Sequence, residues 1–518
     1  MGLALVTAGC GGGGGGGPSA AGPQTATIRI DLATRAVTVV EQPSRLELES
    51  DDTAAWAGVG NPLSFDLRIK NNYSRLLFNV KAVCTGITGD AAATAVGDGT
   101  YDGDPFVYYG PNALDLAATV SRVLTIENIS AATGTLELSL SLVNHKMLFG
   151  SDDYYDGNLW AGDSAGTATS FEIDINQFGN VGYGSPGSSS GYSNPMNGCC
   201  SPDGRYLYYG CRNQPAIITV DTTTMTPTLG VDLTGADNIK MDDTGTGSIG
   251  FTRSVSMSPD GDFLYVTLHT GGHLYENSIS NYESLGGTIE LVRINRSTMV
   301  EVDRVVLFSN IDEAQARSLT ISADGRRGAL AIKVYSDSYG NPAATVQGKF
   351  VTLDLTTMTP TIHDVSAIGL EVSQATISPG GSKVYFTIEN VADNLLRVKD
   401  LGTGTITTVG PAPSFTLEYV KEMPFGPDGR LYIASYNGLA IYNPSDNTLV
   451  EPAITSPRAY GIAFSGNGKL YYVMRHDDLV QCFDIATDAP VVAEADGAAE
   501  IDCGDGFEEG HAFLCTPY

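Results

Sequence analysis

The N-terminal third of the chain alternates. Thr25-Ala26-Thr27-Ile28-Arg29-Ile30-Asp31-Leu32, Leu63-Ser64-Phe65-Asp66-Leu67-Arg68-Ile69 and Leu136-Glu137-Leu138-Ser139-Leu140-Ser141-Leu142 carry an apolar residue at every second position. A two-residue period belongs to a strand with one buried and one wet face. Turn clusters such as Asn71-Asn72 and Gly97-Asp98-Gly99 separate the runs. Residues 24–148 are therefore expected to form an immunoglobulin-like β-sandwich of about seven to nine strands. That expectation rests on strand spacing, because no Cys-Trp-Cys signature is present.

From about residue 196 the pattern becomes a repeat. One segment recurs six times: Ser201-Pro202-Asp203-Gly204-Arg205, Ser258-Pro259-Asp260-Gly261-Asp262, Ser322-Ala323-Asp324-Gly325-Arg326, Ser378-Pro379-Gly380-Gly381-Ser382, Gly426-Pro427-Asp428-Gly429-Arg430 and Ser465-Gly466-Asn467-Gly468-Lys469. Most copies lie between two short apolar runs, such as Val255-Ser256-Met257 and Phe263-Leu264-Tyr265-Val266. The chemistry is that of a tight hairpin: proline presets φ, Asp or Asn bonds the local backbone, and glycine takes a positive φ. A second repeat falls between these turns. Thr219 to Thr228 (TVDTTTMTPT) matches Thr352 to Thr361 (TLDLTTMTPT) at eight of ten positions, with weaker copies from Val292, Val398, Ile441 and Phe483.

Each unit then reads as four strands, recurring every ~40–65 residues, which is the pattern of a propeller with variable loops. The expected fold is all-β: a leader and Gly-rich tether (1–23), the sandwich (24–148), a six- or seven-bladed β-propeller (149–495) and a Cys-containing tail (496–518). A seventh blade would come from 150–195, with ring closure by a strand from the chain's other end. Ser258-Pro259-Asp260-Gly261 leading to Tyr265-Val266-Thr267 resembles the YVTN and lactonase-like propeller repeats. That resemblance spans roughly residues 165–495 and implies a fold, since such repeats host many functions.

Aligning the repeats locates candidate chemistry. Five residues before each turn stand Met196, Arg253, Arg317, Ser373, Lys421 and Tyr460. Loops after the second strands are expected to add His269, His273, Glu389, Asn390, Tyr436, Arg475 and His476, and Arg458 lies just before an inner strand. Arg253, Arg317, Lys421, His269, His273, Arg458 and Arg475 would form a basic channel mouth suited to a carboxylate, sulfate or acidic sugar. The alternative is that these cations pair internally with acidic residues and hold blades together. The lactonase-like resemblance implies a ligand at this mouth, but no full catalytic set is matched.

Composition narrows the classes. Acidic residues number 59 against 29 Lys and Arg, giving a net charge of −30. Such a surface repels phosphate backbones, so nucleic acid is not an expected partner. No apolar run is long enough to span a bilayer. The start, Met1 to Cys10, is apolar, ends in small residues and a cysteine, and is followed by Gly11 to Gly17. It resembles the end of a bacterial lipoprotein signal, although Thr7 stands where Leu is usual and no basic segment precedes it. The resemblance implies lipidation at Cys10 and an outer-membrane, cell-surface location, with the glycines as a tether.

Among eight cysteines, Cys503 and Cys515 flank a short polar loop and form the favoured disulfide. Cys211 with Cys199 or Cys200 is second, although antiparallel pairing puts Cys211 nearer 194–196. Two loops read D-x-x-Y-D-G-[DN]: Asp98, Asp102 and Asp104, then Asp152, Asp156 and Asn158. Hard oxygens and a glycine bend suit Ca²⁺, though solvated turns look the same, and no other cofactor is expected. Two GxSxG strings, at Gly162 and Gly187, lack the strand-to-helix context of a nucleophile elbow. The expected function is a surface lipoprotein with a binding, adhesion or scaffolding role toward protein or glycan. The alternative is a lactonase- or hydrolase-type enzyme at the channel mouth.

Overall fold

The computed structural model describes residues 25–43, 46–72, 78–101, 104–109, 119–145, 147–151, 158–163, 171–174, 195–202, 204–211, 216–222, 226–233, 250–270, 287–311, 313–335, 346–369, 371–389, 395–411, 413–415, 417, 419–452, 458–465, 470–475, 479–491, 500–502 and 513–515. Among these residues the chain is all-β, and no helix is long and apolar enough to cross a membrane.

The alternating N-terminal runs fold as a two-sheet sandwich. Strand Leu63–Asn71 buries every second side chain, and its inward residues Leu63, Phe65, Leu67 and Ile69 meet Ala26, Ile28 and Ile30 of Thr25–Asp31 and Leu136, Leu138 and Leu140 of Thr135–His145 in one core. Each such burial stabilises by roughly 2 kcal/mol relative to exposure. The first and last strands of this unit lie side by side, antiparallel, in one sheet (Ile28↔Leu138).

Among the described residues the strands that follow pair in antiparallel groups of four, two of them joined in one sheet and one with a split first strand; they are numbered sheets 1 to 7. In chain order their first strands are Pro195–Cys200, Gly250–Met257, the split pair Glu313–Ala316 and Thr320–Ile321, Glu371–Ile377, Val420–Glu422 and Ala459–Phe464, which open sheets 2 to 7. Sheet 1 is assembled from both ends of this region: Phe171–Asp174, Asn158–Asp163 and Met147–Ser151 are completed by Phe513–Cys515. Sheets 2 and 3 are linked by one parallel bridge, Asn197↔Ser254.

The first strands neighbour one another in a closed series. Ser256 Oγ donates to Leu319 O (2.7 Å), Ile377 N to Thr320 Oγ1 (2.9 Å), Thr376 Oγ1 to Met423 O (2.6 Å) and Ile462 N to Glu422 Oε2 (2.8 Å). The C-terminal strand Phe513–Cys515 then lies against both Ala459–Phe464 and Pro195–Cys200. This is a propeller-like arrangement in which the edges of the terminal sheets are covered. The segment expected as a tail is thus part of two sheets: Glu500–Asp502 edges sheet 7 and Phe513–Cys515 completes sheet 1.

The repeat turns do what their sequence dictates. Ser258 N donates to Phe263 O (2.9 Å), Gly261 N to Ser258 O (2.9 Å) and Phe263 N to Ser258 Oγ (2.9 Å), with Gly261 at φ 77°. The same bonds recur at Ser322, with Gly325 at φ 71°. A side chain at Gly261 would also meet Pro202 of the preceding sheet, since a Cβ there would lie 2.6 Å from the proline Cγ. The second repeat closes the outer hairpins: the Asp354 carboxylate accepts from the backbone of Thr356 (2.9 Å) and Thr357 (3.1 Å), and these bonds lower its pKa.

Candidate functional site

Every first strand among sheets 2 to 7 breaks register at the position that repeat alignment singles out. The irregularities fall between Pro195 and Gly198, Thr252 and Ser254, Val372 and Gln374, Val420 and Glu422, and Ala459 and Gly461. They contain Met196, Arg253, Ser373, Lys421 and Tyr460. In sheet 4 the strand itself is interrupted at Arg317, whose N–H donates to Ala331 O (2.9 Å). A bulge leaves one residue outside the ladder and re-aims its side chain, and bulges concentrate beside sites.

Around sheets 5 to 7 the side chains form a mixed cluster of cations and tyrosines. Arg458 stacks on Tyr436, with its guanidinium carbon 3.9 Å from the ring centroid, and Lys421 Nζ lies 5.0 Å from that of Tyr460. Tyr436 packs edge-on against Tyr460 (6.3 Å) and Tyr419 (6.2 Å). Sheet 5 also carries a buried carboxyl pair of which sequence reasoning named only Glu389. Glu371 and Glu389 oppose each other across sheet 5, and both are buried. Burial, then the neighbouring Glu371 charge, pushes the Glu389 carboxyl up to about 7, against the opposing pull of Arg317 and Ser373. Glu422 is pushed up to about 8 by burial, although it accepts the Ile462 N–H. Glu389 stood among the aligned strand ends, but its partner is identified only by strand register.

His269, expected in a loop, lies on a strand. Strand Phe263–Thr270 runs past it, its ring is buried, and Ala316 N donates to its Nε2 (3.3 Å), which makes that nitrogen an acceptor. Arg475 likewise sits inside Leu470–Arg475, opposite Ala459, and is buried. Arg253 lies on strand Gly250–Met257, with its side chain outside the described residues. His273, Cys10, Cys503, Asp102, Asp152 and Asp156 lie outside the described residues altogether.

Asn158 pairs through its backbone with Asp174 in sheet 1. Asp98 serves its own turn, where its carboxylate accepts from Tyr108 N (2.7 Å), and Asp104 sits in strand Asp104–Tyr108. Among the described residues no three His, Cys, Asp or Glu side chains gather as a metal site. Cys211 lies opposite Pro195, while Cys199 and Cys200 face Tyr208 and Leu207 across the hairpin. Cys515 pairs through its backbone with Leu148.

Two raised carboxyl pKa values make stability depend on pH in a defined direction. A carboxyl held above its unfolded value binds a proton in the folded state first. Its contribution is complete below about pH 4.5 and is lost as pH rises through about 7 to 8. The urea midpoint should therefore fall between pH 5 and pH 9. Glu422→Gln should remove on the order of 2 kcal/mol of that dependence; a midpoint that rises over this range would contradict it.

The geometry defines an all-β chain with a sandwich and a propeller-like ring of sheets. No protein-family model matches the chain, and no curated protein matches it. Solved structures similar to it include a functionally unknown protein from Desulfotomaculum acetoxidans DSM 771, 10% identical over 71% of this chain and 98% of that one, with a TM-score of 0.42. TolB from Acinetobacter baumannii is 15% identical over 58% of this chain and 61% of its own length, with a TM-score of 0.32.

Proposed function

We propose that the chain is a bacterial cell-surface lipoprotein that binds a protein or glycan through one face of a seven-bladed propeller. In this reading Cys10 carries the lipid, the Gly11–Gly17 tract is a tether, and an immunoglobulin-like sandwich is the spacer. The observation that supports the binding role is the recurring first-strand irregularity, which puts Met196, Arg253, Ser373, Lys421 and Tyr460 in bulges and Arg317 at a strand break at equivalent positions. A ring closed by its own C-terminal strand supports that face rigidly, and rigidity lowers the entropy lost on binding.

Two measurements test it. Cys10→Ala should move the protein from the membrane to the soluble fraction, and persistent membrane retention would count against the anchor. On an array of purified glycans and envelope proteins, Arg253→Ala/Arg317→Ala should weaken binding at least tenfold with an unchanged urea midpoint. Unaltered binding in that folded variant, or no binding by the parent protein, would overturn the face assignment.

A second reading, a lactonase- or hydrolase-type activity at the same face, is favoured by the opposed Glu371 and Glu389. A carboxyl held near pH 7 beside an arginine is suited to general acid–base work. Turnover of lactone or ester substrates, lost in Glu389→Gln, would establish it.

A further inference from the structure

Tyr419 is out of place for a residue that serves only the fold. It is 56% exposed, so its ring gains little from burial. Its φ is 48°, in the left-handed region that bulky side chains avoid and glycine occupies freely. Four of the other six non-glycine residues with positive φ among the described residues have an evident local task. Arg35, Met299, Asn447 and Asp488 each donate their N–H to the carbonyl four residues back and so close a tight turn. Tyr419 instead stands immediately before the inner strand Val420–Glu422, on the face where the bulges lie. A strained backbone that holds an aromatic ring in water is a cost the fold does not repay, and such strain collects at binding sites.

The surroundings say what the ring is for. Tyr419 meets Tyr436 edge-on, and the Arg458 guanidinium carbon lies over the Tyr436 ring, 3.9 Å from its centroid. A guanidinium over an aromatic face still has planar forked N–H groups that can grip a carboxylate by two parallel bonds. Among the described residues no carboxylate pairs with Arg458. Lys421, on the neighbouring Tyr460 ring, adds a second positive charge. An exposed phenol ring offers a flat apolar platform with a polar rim, which suits the C–H face of a sugar ring.

We infer that Tyr419, Tyr436, Arg458 and Lys421 form a subsite for a sugar ring bearing a carboxylate, such as a uronic-acid unit of an acidic polysaccharide. The sugar stacks on Tyr419 and its carboxylate is taken by Arg458, with Lys421 adding longer-range attraction. The assignment rests on the proposal that this face is the ligand face, and it names the ligand class. With a net charge of −30 the protein as a whole repels polyanions, so recognition must come from these local cations at short range.

The test is calorimetric titration of the full chain carrying Cys10→Ala. The ligands are a galacturonic-acid hexamer and the same hexamer fully methyl-esterified. The acid form should bind at least tenfold more tightly than the ester. Tyr419→Gly should weaken acid binding at least tenfold while the melting temperature stays level or rises, because glycine relieves the left-handed backbone. Arg458→Leu should abolish the preference for acid over ester. Equal binding of both hexamers, binding of neither, or undiminished binding by folded Tyr419→Gly would overturn the subsite. The array distinguishes the two failures. Other members bound through Arg253 and Arg317 would leave the face standing without the acidic-sugar subsite, whereas no array binding would remove both.

Discussion

Deleting residues 513–518 should abolish cooperative folding of the ring while leaving the sandwich folded. Three residues of that segment complete sheet 1, pairing Phe513 with Gly150, Leu514 with Phe149 and Cys515 with Leu148. The same strand lies between Ala459–Phe464 of sheet 7 and Pro195–Cys200 of sheet 2. Ala459–Phe464 is buried along its whole length. Without its neighbour it would become an open inner edge that recruits other chains. Total stability of a protein is only ~5–15 kcal/mol, so exposing an edge of this kind is enough to unfold the ring or drive it into aggregates.

The chain supplies its own reporters. It has two tryptophans, and they fall in different units: Trp56 in the sandwich, with Nε1 donating to Asn61 O (3.1 Å), and Trp160 on strand Asn158–Asp163 of sheet 1. In the truncated chain a Trp160→Phe background should keep the parental Trp56 urea transition. A Trp56→Phe background should lose the Trp160 transition or shift it to much lower urea. Parallel, unshifted transitions would mean that the C-terminal strand contributes nothing to the ring.

Arg430→Ala should lower stability by about 3–5 kcal/mol, the cost of leaving a buried ion pair half made. Arg430 ends the repeat turn of sheet 6 and reaches into sheet 7. Nη1 donates to Asp488 Oδ2 (2.6 Å) and Nη2 to Asp488 Oδ1 (3.0 Å) and to Ile485 O (2.5 Å). Nε bonds Asp428, whose carboxylate also accepts from the Tyr432 hydroxyl (3.0 Å). The Arg430 and Asp488 side chains are only 16% and 9% exposed, so little water replaces what is lost. These bonds hold the Arg430 guanidinium well above its ordinary pKa, against the opposing effect of burial. Lysine should not rescue the site, because one ammonium cannot reproduce the forked contacts. A urea titration in which Arg430→Lys matches the parent would show that charge alone is sufficient.

The features carried by a repeat were the ones legible in the sequence. The Ser-Pro-Asp-Gly type of turn specifies a hairpin locally, and its six variant copies align the positions at which the first strands prove irregular. Arg430 at a turn locks two sheets together, whereas Arg458, just before an inner strand, lies over the Tyr436 ring.

Features that depend on strand register were hidden. Glu371 and Glu389 are 18 positions apart in sequence and become partners only because the bulge at Ser373 brings their strands into step. His269 read as a loop residue because two glycines follow it, yet its strand extends to Thr270 and buries the ring. The closing strand is three residues long, too short to carry a period, and its partner lies more than 360 residues away. Tyr419 gave no signal at all, since a backbone angle is not written in composition or spacing.

Closure of the ring by the chain's own end is the claim on which the rigid binding face depends, and a cross-link tests it directly. Antiparallel partners lie about 4.5–5.5 Å apart at Cα, within disulfide range. Leu148→Cys, in a chain also carrying Cys503→Ser, should form a disulfide with Cys515 under mild oxidation of the folded protein. Peptide mass analysis should find residues 148 and 515 joined, and urea should prevent the link. A folded protein in which both cysteines stay open to alkylation would contradict the closure.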